Sequence, residues 1–484
     1  MSKVLGFLLV GMIFVSGCGQ PGHSGLVGHV TITVDPSQKY QEIDGFGASL
    51  TDSSAWLMQE FITDEQVREQ MMVDLFDPEE GIGLSYIRQP MGTSDMRRVE
   101  DYSYDDVPKG ETDFELKHFS TAKDEAYIVP VLQQAIALNP DIKIMASPWS
   151  PPAWLKDNGD FKGGWLKHGE DDKFYRAYAE YFVKFIQAYA GYGIKIDAVT
   201  LQNEPALAIG YPSLKMSPED QVRFTRYLGR AFAKNNIDTK IVIYDHNWDY
   251  DEFPIAVLTQ ASDEEMGYID GVAWHHYGGR PTSQTKVHDM FPDKNVYFTE
   301  GSLGTWQKFD DAESLLYTAN LIIRTTRNWA KCVVTWNMAL HWPPHDGPIV
   351  PGFKGCWTCY AVVMIDKETK EITYRPQYYG IGHASKFVKL GAKRIFSNAT
   401  MGLDVRNVAF ENKDGSIVCL FTNSNKFDQS IEIKFRGLSF VYVLPAQSVA
   451  TFRWGASGLG DVEVWITTGD KKMLLKRQPS VSFN

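Results

Sequence analysis

Two short segments carry the residues best suited to bond-breaking chemistry. Gln202-Asn203-Glu204-Pro205 and Thr299-Glu300-Gly301 each place a glutamate at the end of a strand-like run. Two carboxylates projecting into one cleft suit hydrolysis of a glycosidic bond. One protonates the leaving oxygen while the other attacks the anomeric carbon. A single Glu-Pro or Glu-Gly after a strand is ordinary turn chemistry. The joint pattern is less ordinary, because other strand-like runs end in Trp149, in Trp336-Asn337 and in His275-His276-Tyr277. Asn203 can donate to a sugar hydroxyl, and Tyr277 can donate to the attacking carboxylate. Trp149 and Trp336 offer flat faces for a pyranose ring. Closeness of the two glutamates would raise the pKa of the acid, Glu204, since like charges disfavour ionisation.

A metal hydrolase is the rival chemistry. His275, His276, His341, His345, Asp245 and His246 all fall after strand-like runs. Their spacing argues weakly for a metal, because adjacent residues on a strand point to opposite sides. Cys356-Trp357-Thr358-Cys359 is a lone CxxC with no second pair, which predicts a local disulfide or two free thiols rather than zinc. No metal and no cofactor is assigned.

Something must hold these residues in one place. Eight strand-like runs lie near residues 43–49, 83–89, 142–147, 196–202, 240–245, 269–275, 295–299 and 331–337. Helical patterns separate them at 64–76, 123–138, 172–190, 217–234 and 310–329. Such alternation predicts an α/β fold, a (β/α)8 TIM barrel, whose active site forms at the C-terminal ends of its strands. An open doubly wound sheet is the competitor, but GFGASLTD is a poor phosphate loop. After about residue 384 the pattern becomes alternating strands with Asn/Asp/Gly turns. The segment HVTITV, at 29–34, alternates likewise and is expected to join that later sheet.

The expected organisation is therefore a lipoprotein signal peptide over 1–17, a flexible tether over 18–28, and the first strand of a β side domain over 29–42. The barrel follows over 43–384 and an antiparallel β-sandwich domain over 385–484. Lys3, a short apolar run and Val15-Ser16-Gly17-Cys18 carry the first expectation, with Cys18 as the lipidated residue. The run is too short to span a bilayer comfortably. Localisation is then export, with the membrane reached only through an N-terminal lipid anchor, on the periplasmic face or the cell surface. The 484 residues are 44% apolar and 22% charged, which excludes a disordered chain. A net charge of −12 without a basic stripe argues against a nucleic-acid partner. Aromatics reach 13%, enough for sugar-stacking surfaces as well as a core. Oligomeric state is not legible.

The segments GFGASLTDSSAW, SYIRQPMGTSDM, ASPWSPPAWLKDNG, LQNEP, WHHY, FTEGS and TWNMAL occur in that order. Together they resemble glycoside hydrolase family 30, the glucosylceramidase-like retaining β-glycosidases. The resemblance implies a barrel with a side sandwich built from N- and C-terminal strands. It implies Glu204 as acid/base and Glu300 as nucleophile. It also implies Asp95, Trp149, Asn203 and Trp336 as sugar-binding residues, Tyr277 beside the nucleophile, and no cofactor. Gln202 and His275-His276 depart from human-type members, which leaves the aglycone open. Family relatives suggest a β-1,6-glucan or glucosylceramide-like β-glucoside as the partner. A β-xylosidase or broad β-glucosidase is the alternative within the family. A non-catalytic carbohydrate-binding lipoprotein is the alternative outside it.

Overall fold

A computed structural model describes residues 29–342, 353–356, 358–400, 404–469 and 474–477. The expected signal peptide, Cys18, the expected tether and His345 lie outside the described residues. Eight parallel strands close a barrel in chain order. They are Gly45–Ser49, Tyr86–Met91, Lys143–Pro148, Ala198–Thr200, Lys240–Asn247, Ile269–His275, Asn295–Glu300 and Ala330–Thr335. Closure comes from the last strand pairing with the first, Cys332 beside Gly45 and Thr335 beside Ala48. The first strand can approach the second closely because Gly47 has no side chain. A Cβ there would meet the Tyr86 carbonyl oxygen at 1.8 Å.

The helices cover the outside. Glu65–Phe76, Lys173–Gly191, Pro218–Lys234 and Asp311–Arg327 form close to the expected positions. Asp64 caps the first by accepting from the Gln66 and Val67 amides. Ser217 caps another in a reciprocal box with Asp220, with Pro218 in the first turn. The pattern read over 123–138 is two helices, Ala122–Glu125 and Ile128–Leu138.

Inside the barrel, side chains stack in layers. Tyr86, Met145, Ala198, Val242, Ala273, Tyr297, Cys332 and Val334 fill the floor as a separate apolar cluster. Along a strand, a residue two positions on faces the same way. The next layer up therefore holds Arg88, Ser147, Thr200, His275, Thr299 and Trp336, and it is polar. The fifth strand breaks the rule. Positive φ at Tyr244 (73°) and Asp245 (66°) accompanies a register shift before His246. Tyr244 then packs outward on Phe253 and Trp274, and Asp245 turns into the lumen.

The side domain is a nine-stranded sheet wrapped over its own apolar core. Val30–Glu42 is an interior strand, third from one edge, antiparallel to Lys393–Ser397 and parallel to Gln429–Phe435. Glu463–Thr468 extends the sheet beyond Ser448–Trp454. Helix Pro376–Ser385 packs between the last barrel helix, the first barrel strand and Ser448–Trp454 of the sandwich. Its buried His383 meets Thr451 Oγ1 at 3.0 Å and Thr467 Oγ1 at 2.9 Å. Among the described residues no helix is long and apolar enough to cross a membrane. Cys356 and Cys359 form a disulfide, while Cys332 and Cys419 are free and buried.

Candidate active site

The C-terminal mouth of the barrel brings both glutamates together. Glu204 follows the fourth strand and Glu300 ends the seventh. One oxygen of each and a ring nitrogen of His275 all lie within 4.8 Å of one another. Glu204 has a left-handed backbone (φ 48°), and its amide donates to the Asp245 carbonyl at 3.0 Å. A non-glycine residue held there costs about 1 kcal/mol or more, which the surrounding structure must offset.

Arg88 is the hub of this layer, and it is fully buried. Its guanidinium donates to Glu300 Oε2 at 2.6 Å, to Asn203 Oδ1 at 2.8 Å and to Asp245 Oδ2 at 2.8 Å. Its Nε donates to Ser147 Oγ at 3.1 Å. A buried cation with this many anionic and polar partners fixes their positions. Because Arg88 takes the Asn203 oxygen, the Asn203 amide NH2 is left to donate toward a ligand. Tyr277 donates its hydroxyl to the other Glu300 oxygen at 2.8 Å.

A second chain of contacts controls Glu204. His275 lies 3.1 Å from Glu204 Oε1 and 3.0 Å from Asp245 Oδ1. Asp245 also accepts from Thr200 at 2.8 Å and Thr299 at 2.6 Å. Burial opposes its charge, but Arg88 and His275 outweigh burial and hold Asp245 well below the carboxylate range. Burial likewise opposes charging of His275. The negative charges of Glu300 and Asp245 prevail and raise it to about 9. Burial pushes Glu204 up, but the hydrogen bond and charge of His275, with His246 and Arg88, hold it below the ordinary glutamate value. This corrects the expectation that Glu300 would raise Glu204. Arg88 pairs directly with Glu300, so the Glu300 charge does not dominate. The three groups Glu204, His275 and Glu300 have metal-like spacing, yet the Arg88 guanidinium already occupies Glu300 Oε2.

Asp95, Trp149 and Trp336 reach the same mouth. Burial and then the Glu300 charge push Asp95 up to about 7. Its Oδ1 is buried without a partner among the described residues, as suits a hydroxyl acceptor. The loop after Asp95 is pinned where Tyr102 and Tyr104 donate to buried Asp124 at 3.0 and 2.6 Å. Trp149 and Trp336 stack on each other, centroids 5.2 Å apart, with the Arg88 guanidinium 4.8 Å from the first ring. They form a wall with Met96, Leu340 and Met364. His246 stands 3.7 Å from Glu204, and burial keeps it below its usual pKa. His276 is pushed down to about 4 by burial and the His275 charge.

Sequence reasoning missed Arg88, Tyr211 and Lys156. Arg88 carries no clear signal in the sequence, because its carboxylate partners Glu300 and Asp245 come from other strands. Tyr211 packs on the Trp149–Trp336 wall from the loop after the fourth strand. Lys156 fastens that loop, donating to Ser213 O at 2.7 Å, Phe161 O at 2.7 Å and Ser150 Oγ at 3.1 Å.

Comparison with known proteins agrees with this arrangement. The Glycosyl hydrolase family 30 TIM-barrel domain matches residues 43–388, and that family's beta sandwich domain matches residues 391–452. An endo-1,6-beta-D-glucanase of Neurospora crassa is 30% identical, covering 89% of this chain and 91% of its own length. The lysosomal acid glucosylceramidase of Mus musculus is 31% identical, covering 87% and 83%. A solved endo-beta1,6-glucanase is 34% identical with a TM-score of 0.80, covering 88% of this chain and 94% of that one. A mouth of buried carboxylates on a closed barrel, with these relatives along most of the chain, places the protein: it belongs to glycoside hydrolase family 30 and is an O-glycosyl hydrolase.

Proposed function

We propose that the chain is a retaining β-glucanase that cuts β-1,6-linked glucan by double displacement. The observation carrying this reading is the approach of one Glu204 oxygen and one Glu300 oxygen to within 4.8 Å. Retaining enzymes hold their carboxyl groups about 5–5.5 Å apart, whereas inverting ones need room for a water between. Glu300, oriented by Arg88 and Tyr277, attacks the anomeric carbon. Glu204 delivers its proton to the leaving oxygen, then takes one from the water that releases the sugar. Asp95 and Asn203 accept from and donate to sugar hydroxyls, and the Trp149–Trp336 wall backs the ring. No cofactor enters these steps.

The glucan preference is supported by the two endo-1,6-glucanase relatives. An exported lipoprotein, tethered through Cys18, is also placed to meet polysaccharide. The glucosylceramidase relative supports a second reading, a glucosylceramide-type substrate. The test incubates protein with β-1,6-glucan and, separately, with glucosylceramide, and follows products by chromatography. Oligosaccharides from the glucan, with a β-anomer formed first by proton NMR, are expected. Glucose from the lipid and nothing from the glucan would establish the second reading. An α-anomer formed first would overturn retention. For the anchor, Cys18→Ala should move the protein from the membrane fraction to the soluble one.

A further inference from the structure

The barrel mouth does not end at the Trp149–Trp336 wall. Past the eighth barrel strand the chain forms a three-stranded sheet, Ala339–Trp342, Val363–Asp366 and Ile372–Tyr374. Leu340 pairs with Met364, and both pack in the wall behind Trp149 and Trp336. Two residues further along their strands, on the same face, stand Trp342 and Asp366, which also pair. Thr373, opposite Met364, completes the row with Glu371 and Arg375. The face that backs the central site therefore continues outward as an open shelf.

This shelf borders a small open recess of about 160 Å3, room for about one sugar ring rather than a whole ligand. Trp342 is 42% exposed there. Tyr360 closes one side, with the Arg375 guanidinium 4.6 Å from its ring. Asp311 holds Arg375 from behind at 3.3 Å. Tyr360 is itself tied to the catalytic loop. Cys359–Tyr360 pairs with Leu303–Gly304, just after Glu300, and Cys359 is bonded to Cys356. An exposed indole flanked by carboxylates, a hydroxyl and a guanidinium matches an uncharged ring with apolar faces and a rim of hydroxyls. Asp366 and Glu371 are poorly suited to an acyl chain and repel a phosphate backbone.

We propose that this shelf is a distal sugar-binding subsite, which holds a stretch of glucan chain at least one sugar away from the bond that is cut. The inference rests on the glucan-hydrolase reading and extends it to a substrate longer than one glucoside. Trp342 stacks on the sugar, while Glu371 and Arg375 bind its hydroxyls.

The test compares full-length Trp342→Ala, Trp342→Phe and Glu371→Gln with the parent, on β-1,6-glucan, on an aryl β-glucoside and on glucosylceramide. For Trp342→Ala we expect kcat/KM on the polymer to fall about ten-fold, the scale of one lost aromatic contact. The aryl glucoside, which ends at the central site, should change less than two-fold. Trp342→Phe should recover part of the loss, and Glu371→Gln should show a smaller fall on the polymer alone. Equal loss on both substrates would overturn the subsite in favour of a structural role. Unchanged polymer kinetics would overturn it outright. A loss seen only with glucosylceramide would replace it with a lipid shelf. A parent that cleaves the aryl glucoside but no glucan would overturn the glucan reading and the subsite together, separately from any effect of the variants.

Discussion

The floor and the mouth of the barrel are built from the same strands, two residues apart, yet they obey opposite rules. On the floor, Tyr86, Met145, Val242, Ala273 and Val334 pack together as one apolar cluster. One step up, Arg88, His275 and Asp245 are equally buried but hold each other by charge. Floor contacts are interchangeable in kind, since any apolar group of the right volume fills them. Mouth contacts are not, since each removed partner strands another buried charge. The floor supplies a stiff base, and the mouth draws on that stiffness to hold charged groups at fixed separations.

The comparison breaks most sharply at Glu300. Glu300→Gln should lower kcat by about 10^4-fold or more, because the proposed covalent step would be lost. Steady-state turnover of an aryl glucoside measures this, and near-normal turnover would remove Glu300 from its proposed role. Glu204→Gln should cost about 10^3-fold with a sugar leaving group. The loss should be far smaller with a leaving group that needs no proton, and external azide should restore turnover. A variant equally impaired with both leaving groups would argue against Glu204 as the acid.

A floor variant should behave in the opposite way. Met145→Ala should destabilise the fold by about 3 kcal/mol through the cavity it leaves, with kcat near normal well below the melting temperature. Denaturant unfolding and kinetics on the same preparation test both halves. A large kcat loss without destabilisation would show that the two layers are not separable.

His275→Phe gives the finest distinction. His275 lowers Glu204, so its removal lets burial prevail and raises the acid's pKa. The alkaline limb of kcat/KM, where Glu204 loses its proton, should then move to higher pH. Stability should respond too. The His275 pKa is raised from about 6.5 in the unfolded chain to about 9 in the fold. Its stabilisation is thus full below about 6.5 and is lost as pH rises toward 9, on the order of 3 kcal/mol over that window. Melting temperatures from pH 6 to 9 should show this fall in the parent and not in the variant. An unmoved alkaline limb would sever His275 from Glu204.

Much of this was legible in the sequence because the barrel repeats itself. Strand-like runs ending in Pro, Gly or Asn mark where the lumen opens, and that alone gathered Glu204, Glu300, Asn203, Trp149 and Trp336. Residues whose roles depend on a partner were not legible. Arg88 looks like any strand arginine until Asp245 turns inward, and Asp245 does so through a local backbone distortion that breaks strand alternation. His275 was grouped with metal-type histidines because sequence shows adjacency, while its contacts to Glu204 and Asp245 come from neighbouring strands. The sheet following the eighth strand went unread because its three short strands carry weak alternation. Its pairing is set by the wall it covers.

The placement of Val30–Glu42 has a consequence for how the chain comes to be folded. This strand is made before the barrel, yet both its neighbours, Lys393–Ser397 and Gln429–Phe435, are made only after it. Throughout synthesis and any passage across a membrane it waits unpaired while the whole barrel is formed. Its apolar face and its free backbone groups then need protection from neighbouring chains. Pairing across such a separation in sequence is also slow, because the loop must close before any contact rewards it. The sandwich is therefore the last part to assemble, and a chain released before residue 435 would carry a finished barrel beside an open edge.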